Sequence, residues 1–502
     1  MSASECGQIG ATDVTREMTG WKHAAYDAPE VAAELRELRE RLPFELHEII
    51  VCGMGGSALA AYVLKSLLDP CVPVRVVDTT APAYVQRVLD EMDGAGTLLV
   101  VASKSGTTLE PNVLYRVFAQ RLAERLGSTE AAAQHCVALT DPGTALEALA
   151  REKDWLAVVL TPADVGGRYS ALTAFGLAPV VLAEAEVDPL IACAQAAESR
   201  GGSSQLTDFL AESEQAGRDV ILLVLPPELT SVGRWLEQLI AESLGKEGRG
   251  LVPVVTTPKR AEELLLFSPR ARAIISVVTI GEDDRMGSGT VLSLNDKTVP
   301  DPILSSSRVR ETAQALDVPV CVYHLAGSND LGALFVDWEF AVAACGERLG
   351  INPFDQPDVA ASKEATNHIL AGESTDVQDG KILLRPLSEL PAVVADRAVH
   401  YLALLAWLPY SKGNDDLLQQ QACKLEQTYG LPVALCYGPR YLHSTGQGYK
   451  GGPATGLFLF TGDGESADLP IPEYDFTLAQ LFAAQRQGDI EALAARGCPV
   501  FG

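Results

Sequence analysis

The chain has 502 residues, 47% hydrophobic and 21% charged, with a mean hydropathy of +0.11, a composition typical of globular proteins. Its 39 Lys and Arg against 66 Asp and Glu give a formal net charge of −27. This charge argues against general nucleic-acid binding and against an anionic membrane surface, so we expect neither partner. An anion site in such a chain must be built locally, from backbone amides and a few Lys or Arg side chains.

Other bulk features indicate a cytoplasmic protein. The ten cysteines are scattered and form no CxxC pair, so we expect reduced core residues. Residues 1–18 contain no apolar segment of the kind found in secretion signals. No uninterrupted apolar run reaches the roughly 18 residues that a membrane span requires.

The alternation of apolar runs with helical patterns predicts an α/β protein. We expect two doubly wound parallel-sheet domains and a C-terminal α/β extension, because strands that alternate with helices form parallel sheets covered on both faces. The predicted regions are an N-terminal arm and helix at 1–45, a first domain at 46–198, a second domain at 205–370 and the extension at 371–502. The sequence Ser199–Ser204 is polar and glycine-rich, as in an inter-domain linker.

Within these regions the predicted elements follow the hydrophobic pattern. Residues 1–29 are predicted to form a polar arm or a surface helix, Pro29–Leu42 an amphipathic helix and Pro111–Leu126 a second helix. The extension is expected to be less regular, with a strand at Pro432–Cys436 and a glycine-rich loop at Ser444–Thr455. The predicted strands of the two domains are Glu48–Cys52, Val72–Val77, Thr97–Ala102, Cys136–Thr140, Leu156–Leu160, Val220–Leu225, Val252–Thr256, Ala273–Thr279 and Val318–Val322.

A glycine turn follows the first predicted strand. The apolar run Ile49–Cys52 leads into GMGGS at 53–57, and a helical pattern begins at Ala58. Such a turn favours an anion, because glycines let the backbone approach a phosphate and the helix N-terminus offers free N–H groups. The turn also matches a relaxed dinucleotide fingerprint, with Asp78 in the place of the ribose-binding acid. The turn alone therefore predicts a phosphorylated ligand without saying which.

Hydroxyl side chains are concentrated directly after the predicted strand Thr97–Ala102. The sequence SKSGTT at 103–108 holds four hydroxyls, one ammonium and one glycine. Hydroxyl and amide donors can saturate the oxygens of a phosphate, and the glycine permits a tight wrap. A helix-capping turn is the structural alternative, but hydroxyls this dense favour phosphate binding.

An arginine follows two glycines in DVGGRYS at 164–170. Gly166 and Gly167 allow the backbone to bend and direct Arg168. The guanidinium keeps its charge at any relevant pH, so it can stabilise a developing oxyanion. A surface ion pair is the alternative interpretation.

A glutamate shares a helix face with apolar residues. In the predicted helix Val232–Leu244, Trp235, Leu239 and Glu242 are spaced i, i+4, i+7. A partly apolar setting near the negative end of a helix raises the pKa of a carboxyl, which suits a general base. A salt bridge from Glu242 to Lys246 is the alternative.

A lysine and a histidine complete the candidate residues. Lys363 lies four residues after Val359, so we expect it on a semi-buried stripe, where a Lys shares its proton easily; a solvated lysine is the alternative. None of the seven histidines stands in a metal-binding spacing, so we expect no metal site. His443 is the histidine in a polar, loop-like setting.

Five motifs in this order resemble those of phosphoglucose isomerases: GMGGS at 53–57, SKSGTT at 103–108, DVGGRYS at 164–170, AESLGKEGRG at 241–250 and FDQPDVAASK at 354–363. The stretch YGPRYLHSTGQGYKGGP at 437–453 is most similar to the isomerase half of bifunctional transaldolase/phosphoglucose isomerases, although no transaldolase barrel is recognisable here. The resemblance implies two SIS domains with flavodoxin-like sheets and a homodimer. It also implies interconversion of glucose 6-phosphate and fructose 6-phosphate through ring opening and a cis-enediol(ate), without a cofactor.

The resemblance also implies a role for each matching residue. Glu242 would move a proton between C2 and C1, Arg168 would stabilise the enediolate and Lys363 would help to open the ring. Contacts to the sugar phosphate are implied for Gly56, Ser57, Ser103, Lys104, Ser105, Thr107, Thr108, Gly167 and Gln356.

The chain departs from that family in its ring-opening histidine. Many members carry one shortly upstream of the FDQ motif, and this chain has none at that place. We expect His443 to take its role, with His368 as the second choice, and either residue from the same or a neighbouring subunit.

Two other classes of protein compete with an isomerase at this stage. A nicotinamide-dependent oxidoreductase has no need of the second phosphate loop. A sugar-phosphate sensor, which binds without turnover, has no use for Glu242 on a buried helix face.

Overall fold

Three sheets, each flanked by helices, make up the architecture. The computed structural model describes residues 18–267, 274–280, 291–293, 309, 312–313, 315–371, 384–462 and 467–502. Across these residues, no helix combines the length and the apolar character that crossing a bilayer would require.

The first sheet contains five parallel strands in the order β2-β1-β3-β4-β5, which is the flavodoxin-like order. Four of these strands, β1 to β4, are fully or largely buried, as expected for a sheet covered on both faces, whereas the edge strand β5 is only partly buried. The strands are β1 (Glu48–Gly53), β2 (Val74–Val77), β3 (Thr97–Ala102), β4 (Cys136–Thr140) and β5 (Ala157–Leu160). The helices of this region are α1 (Ala24–Glu40), α2 (Leu59–Leu67), α3 (Pro82–Glu91), α4 (Leu109–Leu126), α5 (Thr129–Ala133), α6 (Ala145–Glu152), α7 (Ala174–Leu182) and α8 (Asp188–Ser199).

The second sheet has the order β7-β6-β8-β10-β9 and is mixed, because β9 runs antiparallel to β10. Its antiparallel edge strand was not predicted. The strands are β6 (Val220–Val224), β7 (Val252–Thr256), β8 (Ile274–Ile280), β9 (Val291–Ser293) and β10 (Val320–Leu325). The helices are α9 (Ser204–Gln215), α10 (Thr230–Leu244), α11 (Pro258–Phe267), α12 (Leu331–Leu349) and α13 (Ala360–Leu370).

The third sheet is more regular than the sequence suggested. It has four parallel strands in the order β12-β11-β13-β14, and only β12 was predicted. The strands are β11 (Tyr401–Ala406), β12 (Val433–Tyr437), β13 (Gly456–Thr461) and β14 (Val500–Phe501). The helices are α14 (Leu390–Asp396), α15 (Lys412–Tyr429), α16 (Gly446–Gly451) and α17 (Leu478–Ala495).

The N-terminal region differs from the predicted polar arm. Helix α1 begins at Ala24, before Pro29, which lies inside the helix. Trp21 is 3% exposed, and its ring lies 5.1 Å from that of Tyr169 and 4.9 Å from that of Phe340. Residues 1–17 lie outside the described part. The described section of this arm is therefore anchored in the core.

Hydrophobic clusters run across the predicted domain boundaries. One cluster joins β1 and β6, and another joins β6 and β7 to β11 and β13. Residues 200–203, the middle of the predicted linker, separate α8 from α9. The boundaries between the four predicted regions stay predictions, because hydrophobic clusters connect the three sheets.

Trp21→Ala should destabilise the fold, because truncation of a buried aromatic side chain typically costs about 3–5 kcal/mol. We expect the Tm to fall by several degrees in thermal unfolding followed by circular dichroism. Tyr26→Ala is the control, since Tyr26 lies on α1 and is 52% exposed. Equal melting temperatures for the two variants would contradict an anchoring role for Trp21.

Candidate active site

The two predicted anion loops lie side by side at the carboxyl edge of the first sheet. The glycine turn follows β1 and the hydroxyl loop follows β3, and these strands pair directly, with Gly53 opposite Ala102. The strand order reverses between β1 and β3, and such a switch point is where open α/β sheets bind ligands.

Glu242 lies at the centre of a polar cluster on α10. It is 2% exposed and shares its helix face with the buried Trp235 and Leu239, as predicted. Its Oε2 atom lies 3.2 Å from Arg168 Nε and accepts a hydrogen bond of 3.2 Å from Gln238 Nε2. Gln356 Nε2 donates to the same oxygen at 3.4 Å. A single carboxylate oxygen therefore faces one cation and two amides.

Burial and neighbouring charges have opposite effects on the pKa of Glu242. Burial raises the pKa of the carboxyl above its usual range, and the charges of Arg168 and His443 and the Gln238 hydrogen bond reduce this rise without cancelling it. A raised pKa makes this carboxylate a stronger proton acceptor than a solvent-exposed glutamate.

Arg168 is fixed by backbone carbonyls on the side away from Glu242. It lies in the 3₁₀ turn Gly167–Tyr169, where Nη1 donates to Pro353 O at 3.0 Å and Nη2 to Asp355 O at 3.1 Å. The turn packs against Gly56, where an added Cβ would lie 2.2 Å from the carbonyl carbon of Gly167. The absence of a side chain at Gly56 thus lets the two loops meet and places the guanidinium beside Glu242.

The alternative salt bridge between Glu242 and Lys246 does not form. Lys246 Nζ lies 2.7 Å from Asp355 Oδ1 and also donates to the carbonyl of Asn352. Burial and the nearby Arg168 lower the pKa of Lys246 to about 8, against the pull of Asp355. Lys246 therefore supports the segment that precedes Gln356.

A cavity of about 320 Å³ brings together five of the other predicted residues. Its walls include the hydroxyl loop, α13 and the C-terminal extension. The candidate residues that line it are Ser105, Thr107, Thr108, Lys363 and His443. A second cavity, of about 570 Å³, is lined by Tyr115, Trp155 and Glu473 among others and contains none of the predicted site residues.

Two predicted residues of the hydroxyl loop, Ser103 and Lys104, do not line this cavity. Ser103 is buried, and the ammonium of Lys104 is paired with Asp141 and lies 3.2 Å from Pro162 O. The loop residues that do line the cavity are Ser105, Thr107 and Thr108.

Lys363 lines the cavity as well, but its side chain is exposed. The prediction that it lies on a semi-buried stripe was therefore wrong.

His443 reaches the cavity from within the same chain. Its Nε2 atom lies 2.8 Å from Glu110 Oε1, and Gln485 Nε2 donates to that oxygen at 2.7 Å. Burial raises the pKa of Glu110, but the neighbouring His443 and Lys363 bring it below its usual range overall. His368 lies on the exposed side of α13 and does not line the cavity. Of the two predicted histidines, His443 is the one placed at the site.

Gln238 links the two halves of the site. Its Nε2 atom donates both to Glu242 and, at 2.9 Å, to the backbone carbonyl of His443. Gly55 lies against this junction with a φ of +53°, and a Cβ there would lie 2.6 Å from His443 O. Glu242 and the cavity wall at His443 are therefore joined by two hydrogen bonds through Gln238.

Sequence reasoning missed three residues of this site. Gln238 lies four residues before Glu242 on the same helix face, and this spacing was an available signal. Glu110 follows the hydroxyl loop by two residues, at the start of α4. Gln485 carried no sequence signal, because its contact with Glu110 joins positions 375 residues apart.

The dinucleotide interpretation is contradicted at Asp78. This residue is 4% exposed, and its Oδ2 atom lies 3.6 Å from Arg440 Nη1. The carboxylate that would bind a ribose is therefore engaged inside the protein. Among the described residues, no three His, Cys, Asp or Glu side chains are grouped as ligands for a metal ion.

The chain is similar to known proteins over most of its length. A family model described as phosphoglucose isomerase matches residues 39–196. A probable glucose-6-phosphate isomerase from Haloarcula marismortui is 30% identical, with 66% of this chain and 80% of that protein covered. A glucose-6-phosphate isomerase from Shouchella clausii is 27% identical, with 71% of this chain and 87% of that protein covered.

Solved structures show the same fold. A hypothetical protein from Thermus thermophilus superposes with a TM-score of 0.61 at 25% identity, covering 72% of this chain and 95% of that one. A glucose-6-phosphate isomerase from Chlamydia trachomatis superposes with a TM-score of 0.53 at 22% identity, covering 73% of this chain and 77% of that one. From these similarities, together with the motifs and their arrangement around Glu242, we conclude that the chain belongs to the phosphoglucose isomerase family.

Proposed function

We infer that the chain interconverts glucose 6-phosphate and fructose 6-phosphate through ring opening and a cis-enediol(ate). The observation that carries this inference is the buried Glu242 carboxylate against Arg168, which two hydrogen bonds through Gln238 connect to the wall of a hydroxyl-lined cavity. The substrate class is a small sugar phosphate, and the chemistry requires neither a nicotinamide nor a metal.

The phosphate is held by the hydroxyl loop. Ser105, Thr107 and Thr108 supply hydroxyl donors on the cavity wall, and α4 begins at the next residue, so its N-terminus faces the same loop. Hydroxyls, amides and a helix dipole together favour a dianion there. Binding energy from the phosphate then positions the reacting carbons, which lie away from it.

Ring opening falls to His443 with Lys363. The sugar ring opens when a proton reaches the ring oxygen and another leaves the hydroxyl on C1. Glu110 accepts from His443 Nε2, which leaves Nδ1 as the nitrogen that exchanges a proton with the sugar. Lys363 lines the same cavity and provides a positive charge near the oxygen that loses or gains the proton.

Isomerisation then falls to Glu242. Its carboxylate removes the proton from C2 and returns it to C1, while a second proton moves between the oxygens on C1 and C2. Arg168 stabilises the negative charge of the enediolate, and Gln356, already bonded to Glu242, contacts the sugar with Gly56, Ser57 and Gly167. All protons and electrons stay within the substrate and these side chains.

A homodimer and a cytoplasmic location are further proposals. The first follows from the family resemblance and the second from the composition. His443 lines the cavity from the same chain. A partner subunit is therefore not required to supply this histidine.

Glu242→Gln should abolish turnover while binding persists, because the amide cannot accept the C2 proton. We expect kcat for fructose 6-phosphate to fall by about 100-fold or more, measured by coupling product formation to glucose-6-phosphate dehydrogenase. Calorimetric titration should still detect fructose 6-phosphate binding. Glu237→Gln is the matched control, since Glu237 is a second buried carboxyl on α10. Undiminished turnover in Glu242→Gln would reject this base, and an inactive wild-type protein would favour the sensor.

His443→Gln should slow ring opening. We expect kcat to fall by about 10- to 100-fold, with KM for fructose 6-phosphate nearly unchanged, since the phosphate-binding hydroxyls are untouched. His368→Gln is the comparison, because His368 does not line the cavity. A loss confined to His368→Gln would reverse the assignment of the two histidines.

Arg168→Ala should lower kcat more than it raises KM, because the guanidinium acts mainly on charge that develops in the transition state. It should also move the acid limb of the kcat/KM–pH profile. Activity needs ionised Glu242 and declines as the pH falls through its pKa; the Arg168 charge lowers that pKa. Its removal therefore shifts the limb to higher pH. An unshifted limb, or an effect on KM alone, would contradict this role.

A further inference from the structure

Asp489 is a buried carboxylate in the extension that the proposed reaction does not use. It lies on α17 and is fully buried. Its Oδ2 atom accepts a hydrogen bond of 2.5 Å from Tyr441 Oη, and its Oδ1 atom lies 2.6 Å from Lys450 Nζ. Ser362 Oγ donates to Oδ1 at 3.2 Å. One carboxylate thus joins three separate segments of the chain.

Two of those segments carry the residues assigned to ring opening. Tyr441 belongs to the 3₁₀ turn Arg440–His443, so the turn that Asp489 fixes ends in His443. Ser362 immediately precedes Lys363 on α13. Ser362, Lys363 and His443 line the same cavity. The geometry around Asp489 therefore determines how far apart the histidine and the lysine lie.

Close packing of the two helices brings Asp489 within reach of Ser362. At the preceding residue, Gly488, an added Cβ would lie 2.9 Å from Thr366 Oγ1 and 3.2 Å from Ser362 O. Any larger residue would separate α17 from α13 and lengthen the bond from Ser362 to Asp489. Glycine at this crossing is therefore a condition of the link.

The charge of Asp489 is balanced inside the protein. Lys450 is 2% exposed at its side chain and also lies 3.4 Å from Gly446 O. Such a pair stabilises a fold little compared with apolar residues of the same size, since both charges lose their water. A buried pair that also receives hydrogen bonds from two other segments imposes one geometry on them.

We propose that Asp489 is a positioning residue that fixes Lys363 and His443 relative to one another through Ser362 and Tyr441. The C-terminal extension is then a working part of the ring-opening site. This proposal rests on the proposed isomerase function.

Tyr441→Phe and Ser362→Ala test the proposal, because each removes one hydrogen bond and leaves the Lys450–Asp489 pair intact. We expect each to lower kcat by about 10- to 100-fold, as displacement of a catalytic group does, with KM nearly unchanged. If both act through Asp489, the double variant should lose less than the product of the two single losses. Thermal melting should show that both variants are folded.

A second readout isolates ring opening from proton transfer at carbon. Anomers of glucose 6-phosphate interconvert when the ring opens and closes, with no role for Glu242. In the Glu242→Gln background, Tyr441→Phe and Ser362→Ala should therefore slow enzyme-dependent anomer exchange, followed by NMR. A purely structural role for Asp489 would leave this exchange unchanged.

Tyr437→Phe is the matched control, since Tyr437 Oη donates to Asp415 Oδ1 at 2.6 Å in the same sheet and the residue does not line the cavity. Activity in Tyr441→Phe and Ser362→Ala equal to that of Tyr437→Phe would overturn the positioning role alone. A wild-type protein that does not convert fructose 6-phosphate would instead overturn the proposed function, and this inference with it.

Discussion

The buried contact between Glu242 and Arg168 is the constraint on which the rest of the site depends. A carboxylate with 2% exposure is tolerated only if its charge is matched and its oxygens are hydrogen-bonded. Arg168, His443 and Gln238 lower the pKa of Glu242 by less than burial raises it, so the pKa stays above its usual range. Burial and pairing therefore act in opposite directions on this carboxyl, and burial has the larger effect.

That contact in turn dictates how closely the loops must approach. Arg168 reaches Glu242 because Gly56 lets two backbones meet, and its other nitrogens donate to the carbonyls of Pro353 and Asp355. These two carbonyls belong to a segment that continues into Gln356 and then into α13, which carries Lys363. One ion pair therefore orders the glycine turn, the arginine turn and the lysine helix together.

The sequence predicted the first two sheets well, because strands buried on both faces appear as uninterrupted apolar runs. The same property marks β11 and β13, but short apolar runs are indistinguishable from buried helix segments by periodicity alone. The burial of Glu242 beside Trp235 and Leu239 was predictable, since it depends only on helical spacing. The partner of Lys246 was not predictable, because its pairing with Asp355 instead of Glu242 depends on where Asp355 lies in three dimensions.

The ring-opening end of the cavity shows why such choices escape a sequence. His443 and Glu110 form a hydrogen bond although they are 333 residues apart in the sequence, and Ser362 and Asp489 do so at a separation of 127 residues. Neither contact leaves a periodic pattern in the sequence. Both depend on the third sheet sharing a hydrophobic cluster with the second, which brings the turn Arg440–His443 and helix α17 to the edge of the cavity. The position of the proposed base, Glu242, is thus set by local sequence and charge burial, whereas the position of His443 is set by tertiary packing. The ring-opening role proposed for His443 therefore rests on contacts between distant segments and on no local motif.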